Sequence, residues 1–219
     1  LTNRELLEGD AEFSVRLAVD KDAKTLTIAD NGIGMDKQDI VDNLGMIAHS
    51  GTKEFLERLR EAKEKDADVS DKELIGQFGV GFYSAFMVAS KIEVISKKAG
   101  ENTVWKWISD GKGEYELEQT DDSAFPLIDD VPEGANGTCI TLYLNNEDSE
   151  FASRWKIEDI IKRYSDHIAF PIYLHYIHKE YDDKGNEKSQ TAKSEQINDA
   201  SALWQKPKSE LKDEDYKQF

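Results

Sequence analysis

Asp30 closes an alternating apolar run, Thr25 to Ala29, and Asn31, Gly32, Ile33, Gly34 and Met35 follow it directly. A carboxylate at a strand end can accept a hydrogen bond from a ligand amine, and glycines beside it bare the backbone for close approach. The same residues admit a plainer reading, since Asn-Gly is a preferred pair for a tight hairpin turn. A second glycine cluster, Gly76-Gln77-Phe78-Gly79-Val80-Gly81, precedes an apolar stretch of helical character. The free N–H groups of a helix start, next to bare glycine backbone, suit phosphate oxygens, although such clusters also serve as structural turns. Two common phosphate signatures are excluded. In "GMIAHSGTK" the interval is wrong for a Walker loop and Thr52 precedes Lys53, and Gly76 to Gly81 reverses the spacing of the dinucleotide fingerprint. One pocket would join the two clusters: Asp30 against an exocyclic amine, phosphates under Gly79 and Gly81, and the helix bearing Asn43 between them.

The elements that must position these groups follow from periodicity. "EFSVRLAVDKDAKTLTIAD" reads as two alternating strands around the turn Asp20-Lys21-Asp22-Ala23, which puts Asp30 at a strand end. From Asp36 an N-cap aspartate is followed three residues later by Asp39, and Ile40, Val41, Leu44 and Ile47 share one helical face. "TKEFLERLREAKEKD" reads as an exposed helix that trails into a polar, lid-like stretch. After the second glycine cluster come an apolar helix and the strand "KIEVISKK", then strand-like runs "NTVWKWIS", "GEYELEQ" and "GTCITLYL". "RWKIEDIIKRYSDHIAF" is amphipathic and stops before Pro171, and "PIYLHYIHKEY" alternates as a strand. Clustered strands without regular βαβ alternation predict an α+β sandwich with a mixed sheet.

Composition narrows the partners. Lys+Arg 28 against Asp+Glu 45 gives a net charge of -17, which repels nucleic acid and anionic lipid, so neither is expected as a partner. The absence of any run of about eighteen apolar residues and of a leader at the start points to a cytoplasmic protein. Cys139, the single cysteine, falls in an alternating strand and reads as a small buried residue rather than a nucleophile. Residues 182 to 200 lack a core-forming pattern and read as a charged linker, which leaves 1–181 as the main domain and 201–219 as the start of another.

In order along the chain, "DNGIGM", "NLGMIAHSGTKEF", "IGQFGVGFYSAF", "GTCITLYL", "KRYSDHIAFPI" and "ALW" closely resemble the N-terminal ATP-binding domain of the heat-shock protein 90 chaperones of bacterial type. "DNGIGM" by itself is shared with gyrase, MutL and sensor histidine kinases, which use the same ATP fold; "GQFGVGFYS" and "SGTK" are not. The resemblance implies a two-layer α+β sandwich whose mixed, mainly antiparallel sheet carries helices on one face. It implies ATP or ADP with Mg2+, unfolded client proteins, and a homodimer in the intact protein. By position it implies that Asp30 accepts from the adenine amine with support from Thr138, and that Ile33, Gly34 and Met35 wall the base. Asp39, Asn43 and Leu44 would look toward ribose and α-phosphate, and Gly79, Val80, Gly81 and Phe82 would cradle phosphates beneath a lid of roughly residues 45 to 81. Two positions depart from the family: His49 stands where lysine is usual, weakening any positive charge there, and Met46 where threonine is usual. In relatives a strand and helix precede "LTNRELLEGD" and supply a water-activating glutamate and, four residues on, a magnesium-binding asparagine. No Glu-x-x-x-Asn occurs in these 219 residues, so the expectation is binding without turnover by this stretch alone. The alternatives are another ATPase of the same fold, of histidine kinase, gyrase or MutL type, and a non-catalytic acidic interaction domain.

Overall fold

The computed structural model describes residues 13–45, 81–121, 136–182 and 184–200. Among these residues eight strands form one sheet: β1 (Val15–Asp20), β2 (Thr25–Asp30), β3 (Ala89–Lys97), β4 (Val104–Ser109), β5 (Tyr115–Thr120), β6 (Gly137–Leu144), β7 (Ile172–Tyr181) and β8 (Glu187–Gln196). Their spatial order is β5-β4-β3-β6-β2-β1-β7-β8. Only β1 and β7 run parallel; every other neighbouring pair is antiparallel. The mixed, mainly antiparallel sheet expected from the sequence is therefore present.

Strand alternation sorts the side chains into two faces. One transverse row, Leu174, Leu17, Ile28, Ile140, Val94, Trp107 and Leu117, crosses seven strands in register and is apolar throughout. This face carries the core, in which Trp107, Ile92, Val94 and Leu174 are fully buried. The helices pack on it. Helix α1 (Lys37–Ile40) continues as a π-helical stretch, Val41–Gly45, and contributes Ile40 and Leu44. Helix α2 (Gly81–Ser84) brings Phe82, whose ring meets Trp107 edge-on at 5.8 Å. Helix α3 (Arg154–Tyr164) contributes Ile157 and Ile161. The sequence placed the end of α3 at Pro171, but the helix closes at Tyr164, where Ser165 N–H still bonds the Ile161 carbonyl. The apolar helix expected after the second glycine cluster is a single turn plus a tighter three-residue turn, because β3 begins at Ala89.

The largest difference from expectation lies in residues 182–200, read from the sequence as a solvated linker. Asp182 folds the chain back, its carboxylate accepting from the N–H groups of Lys184 and Asn186 at 2.9 and 2.8 Å. Strand β8 then pairs with β7 from Tyr181↔Glu187 to Tyr173↔Gln196. Its side chains are nearly all exposed, so it is held by the backbone ladder and leaves no hydrophobic period to read. Its far end is anchored by Asn198, which donates to the Ile168 and Phe170 carbonyls and accepts from Ile172 N–H. Among the described residues no helix is long and apolar enough to cross a membrane.

On the opposite face Cys139 packs with Ala29 and Ala18 and is 1% exposed. Burial pushes its thiol up to about 12, far from the thiolate range in which cysteine is reactive. Iodoacetamide at pH 8 is therefore expected to leave Cys139 unmodified in the native protein and to label it fully in denaturant, read by mass spectrometry. Native labelling at the denatured rate would show that this face opens.

Candidate functional site

Two residues beyond the apolar row, on the same core-facing side, the sheet carries a polar row. Register sets Asp30 opposite Thr138, Thr138 opposite Ser96, and Ser96 opposite Trp105. The alternation that buries Leu26 thus delivers Asp30 to the helix-covered face just where β2 ends. Asp30 is exposed to solvent. Even so, desolvation by the surrounding protein pushes its carboxyl above the ordinary aspartate range, and this outweighs the opposing hydrogen bonds from the Gly32 and Thr138 backbone N–H groups. Gly32 N–H meets Oδ1 of Asp30 at 2.8 Å.

The segment after Asp30 is not a hairpin. Neither Asn31 nor Gly32 adopts a positive φ, and the chain passes from β2 into α1 rather than back along the sheet. The glycine that needs its special backbone is Gly34, with φ +67°, tucked against β3 so closely that a Cβ would lie 1.8 Å from the Lys97 carbonyl oxygen. Gly137 plays the matching part on β6: a Cβ there would lie 2.1 Å from the Asp30 carbonyl oxygen.

Successive residues of this segment are tied down. The Asn31 side chain accepts from Ser14 N–H at 2.8 Å, and the Asn136 side chain donates to the Gly32 carbonyl. Ala99 N–H bonds the Ile33 carbonyl at 2.8 Å, and Met35 N–H bonds Ser96 Oγ at 2.8 Å. Asp36 caps α1 through a reciprocal box with Asp39, and Lys98 Nζ bridges both carboxylates at 2.5 and 2.7 Å. The Lys98 ammonium holds the Asp36 carboxyl below its usual range. The segment beside Asp30 is thus held at successive residues by the protein's own hydrogen bonds, and a wall held in this way lowers the ordering cost of binding.

Of the residues singled out in the sequence, Asp30, Gly34, Met35 and Thr138 come together at this strand end. Ile33 is adjacent, with its side chain 61% exposed. Asp39 is engaged by the capping box and Lys98, and Asn43 donates to the Asp39 carbonyl at 2.8 Å. Leu44 lies in the core, and Phe82 packs between Trp107 and Phe86. Gly81 opens α2. His49, Gly79, Val80, Met46 and the lid lie outside the described residues. Sequence reading missed Ser96, Lys98 and Asn136. Ser96 did leave a signal: it is a hydroxyl on the face that Ile92 and Val94 make apolar, where a polar residue needs a partner.

This strand-end carboxylate, its rigid glycine segment and the one-sided sheet fit what comparison finds. The model described as histidine kinase-, DNA gyrase B- and HSP90-like ATPase matches residues 8–138, and the chain belongs to that family. Within it, the chain is 66% identical over 208 residues to the chaperone protein HtpG of Treponema denticola, covering 95% of this chain and 32% of that protein. It is 56% identical to HtpG of Treponema pallidum over 95% of this chain and 32% of the other, and 50% identical to HtpG of Helicobacter hepaticus over 100% and 33%. The chain spans about a third of the length of these curated relatives.

Proposed function

We propose that this chain is the nucleotide-binding part of an ATP-driven chaperone, taking ATP or ADP at the Asp30 strand end. The observation that carries the reading is a carboxylate raised in pKa by desolvation and set among fixed backbone groups. Such a group gains a great deal from one well-placed donor, and the exocyclic amine of adenine is such a donor. Ile33, Gly34 and Met35 form the wall against which the flat base lies. Asp39 on α1 and Asn43 on the π-helical stretch after it line the way to the ribose, with Leu44 behind them in the core, and Gly79, Val80, Gly81 and Phe82, with His49, meet the phosphates where residues 45 to 81 close over them.

Mg2+ belongs to this reading as the companion of the phosphates. Among the described residues no three His, Cys, Asp or Glu side chains gather into a cage. Such an ion is ordinarily held by one or two protein groups and the phosphate oxygens. The intact protein on this reading is a cytoplasmic homodimer in which nucleotide-driven closure acts on unfolded clients. Residues 1–181 form its nucleotide domain, and β8 extends the sheet of that domain.

Calorimetric titration of the intact protein with ADP tests the proposal. Saturable one-site binding, displaced by ATP and not by an equal concentration of GDP, is the expected result. No binding of any adenine nucleotide would leave the acidic interaction domain as the better reading.

A further inference from the structure

We propose that Ser96, a residue with no assigned part in the site, fixes which way the hydrogen bonds run there and so makes the site choose an amino-purine over a keto-purine. The inference rests on the nucleotide-binding reading above and adds to it a specificity-determining residue in a positioning role.

Ser96 is fully buried, and its hydroxyl has three neighbours: Met35 N–H at 2.8 Å, the Gly137 carbonyl oxygen at 2.9 Å and Thr138 Oγ1 at 2.9 Å. A serine hydroxyl has one proton to give and two lone pairs to receive with. The Gly137 carbonyl bears no proton, so its contact is a hydrogen bond only if Ser96 donates. The single serine proton is thereby committed, and Met35 N–H occupies one lone pair. The contact with Thr138 is then favourable in one sense alone, with Thr138 donating to Ser96. Reversing it would set the serine oxygen against the Gly137 oxygen, two acceptors at 2.9 Å.

The consequence appears on the far side of Thr138. With its proton given inward, the Thr138 hydroxyl offers only lone pairs, and its sheet neighbour Asp30, when ionised, offers only lone pairs too. Whatever meets this pair must bring N–H or O–H groups. An exocyclic amine on a purine has two. A keto oxygen has none and would face two acceptors. Sites that present unmatched buried polar groups to the wrong analogue reject it far more strongly than apolar pockets do. Without Ser96, Thr138 could turn its proton outward and accommodate the keto oxygen.

The experiment compares ADP with inosine diphosphate, its 6-keto counterpart, by calorimetry on the intact protein and three variants. The unmodified protein is expected to favour ADP by at least about 100-fold. Ser96→Ala is expected to narrow that ratio about 10-fold or more, chiefly by tighter binding of inosine diphosphate, while Ser96→Thr, which keeps the hydroxyl, preserves it. Ser96→Ala also strands Met35 N–H and the Gly137 carbonyl, so Thr138→Val supplies an independent reading that leaves those bonds intact. It too should narrow the ratio. An ADP preference unchanged in Ser96→Ala, or in Thr138→Val if the alanine variant does not fold, overturns the proposal. Failure of the unmodified protein to bind ADP would instead strike the nucleotide reading itself.

Discussion

Asp30→Asn is expected to lower ADP affinity by at least about 100-fold while leaving the fold at least as stable at neutral pH. A hydrogen bond to a carboxylate contributes about 1.5–3 kcal/mol, and asparagine both removes the charge and, with its one oxygen kept by the Gly32 and Thr138 N–H groups, turns its own N–H groups toward the ligand amine. The stability half follows from the pKa. The folded state raises the Asp30 carboxyl above its unfolded value of 3.8, so folding is favoured by protonation. That contribution is fully present below 3.8 and is lost as pH rises through the folded value. Above the folded value the ionised carboxylate is therefore a liability to folding that the binding site retains, and asparagine removes it. Ligand affinity runs the opposite way, falling as pH drops through the raised value, and the Asn variant should lose that dependence. Calorimetry across pH 5 to 8 with parallel thermal melts checks both halves. Affinity unchanged in the variant would mean that the amine is read elsewhere.

The parts of the fold that were legible in the sequence are those in which one strand face is buried. β1, β2, β3, β4 and β6 each bury alternate side chains against α1, α2 and α3, and burial imprints a two-residue period on the chain. Asp30 stood out because it terminates such a period. β8 was illegible for the converse reason. It is an edge strand stabilised through β7 and through the cluster in which Arg154 holds Glu195 at 2.9 Å, and Tyr176 donates to that same carboxylate. Neither contact leaves a pattern in "EKSQTAKSEQ".

The site was half legible for a related reason. Residue types announced Asp30 and Gly34, and the family resemblance added Thr138, yet the roles of Ser96, Lys98 and Asn136 depend on register. Nothing local tells that Ser96 falls opposite Thr138, or that Lys98, one residue past β3, reaches back to the cap of α1 across 62 positions. The Asn31-Gly32 pair shows the reverse error, a local turn preference overridden by context. The Asn31 side chain is taken by Ser14 N–H, and Gly32 is small because a Cβ would press on the Asp30 carboxylate.

That contrast between the two glycines of the segment yields the second large effect. At Gly34 a methyl group would meet the Lys97 carbonyl oxygen at 1.8 Å, its carbon at 2.6 Å and the Gly137 oxygen at 3.0 Å, all of them backbone, at a φ of +67° that already disfavours any side chain. No rotamer change relieves it. Either β3 leaves β6 at Lys97↔Gly137 or the segment lifts away, and then Ala99 N–H, Met35 N–H and the cap of α1 lose their partners together. Gly34→Ala is accordingly expected to cost about 4 kcal/mol or more, in the range kept for steric overlap at a fixed backbone, and to lower Tm by roughly 8–16 °C. Among the described residues the only atom close to a Cβ at Gly32 is Asp30 Oδ1 at 2.8 Å, the end of a side chain that can rotate. Gly32→Ala should then melt within about 3 °C of the parent, a loss of roughly 1 kcal/mol or less, but bind ADP about 10-fold or more weakly, because the displaced carboxylate no longer faces the amine. Differential scanning calorimetry with an ADP titration of each variant separates the two. If the Gly34 variant melts with the parent, the tight packing of this segment on β3 and β6 is not what holds the wall beside Asp30 in place.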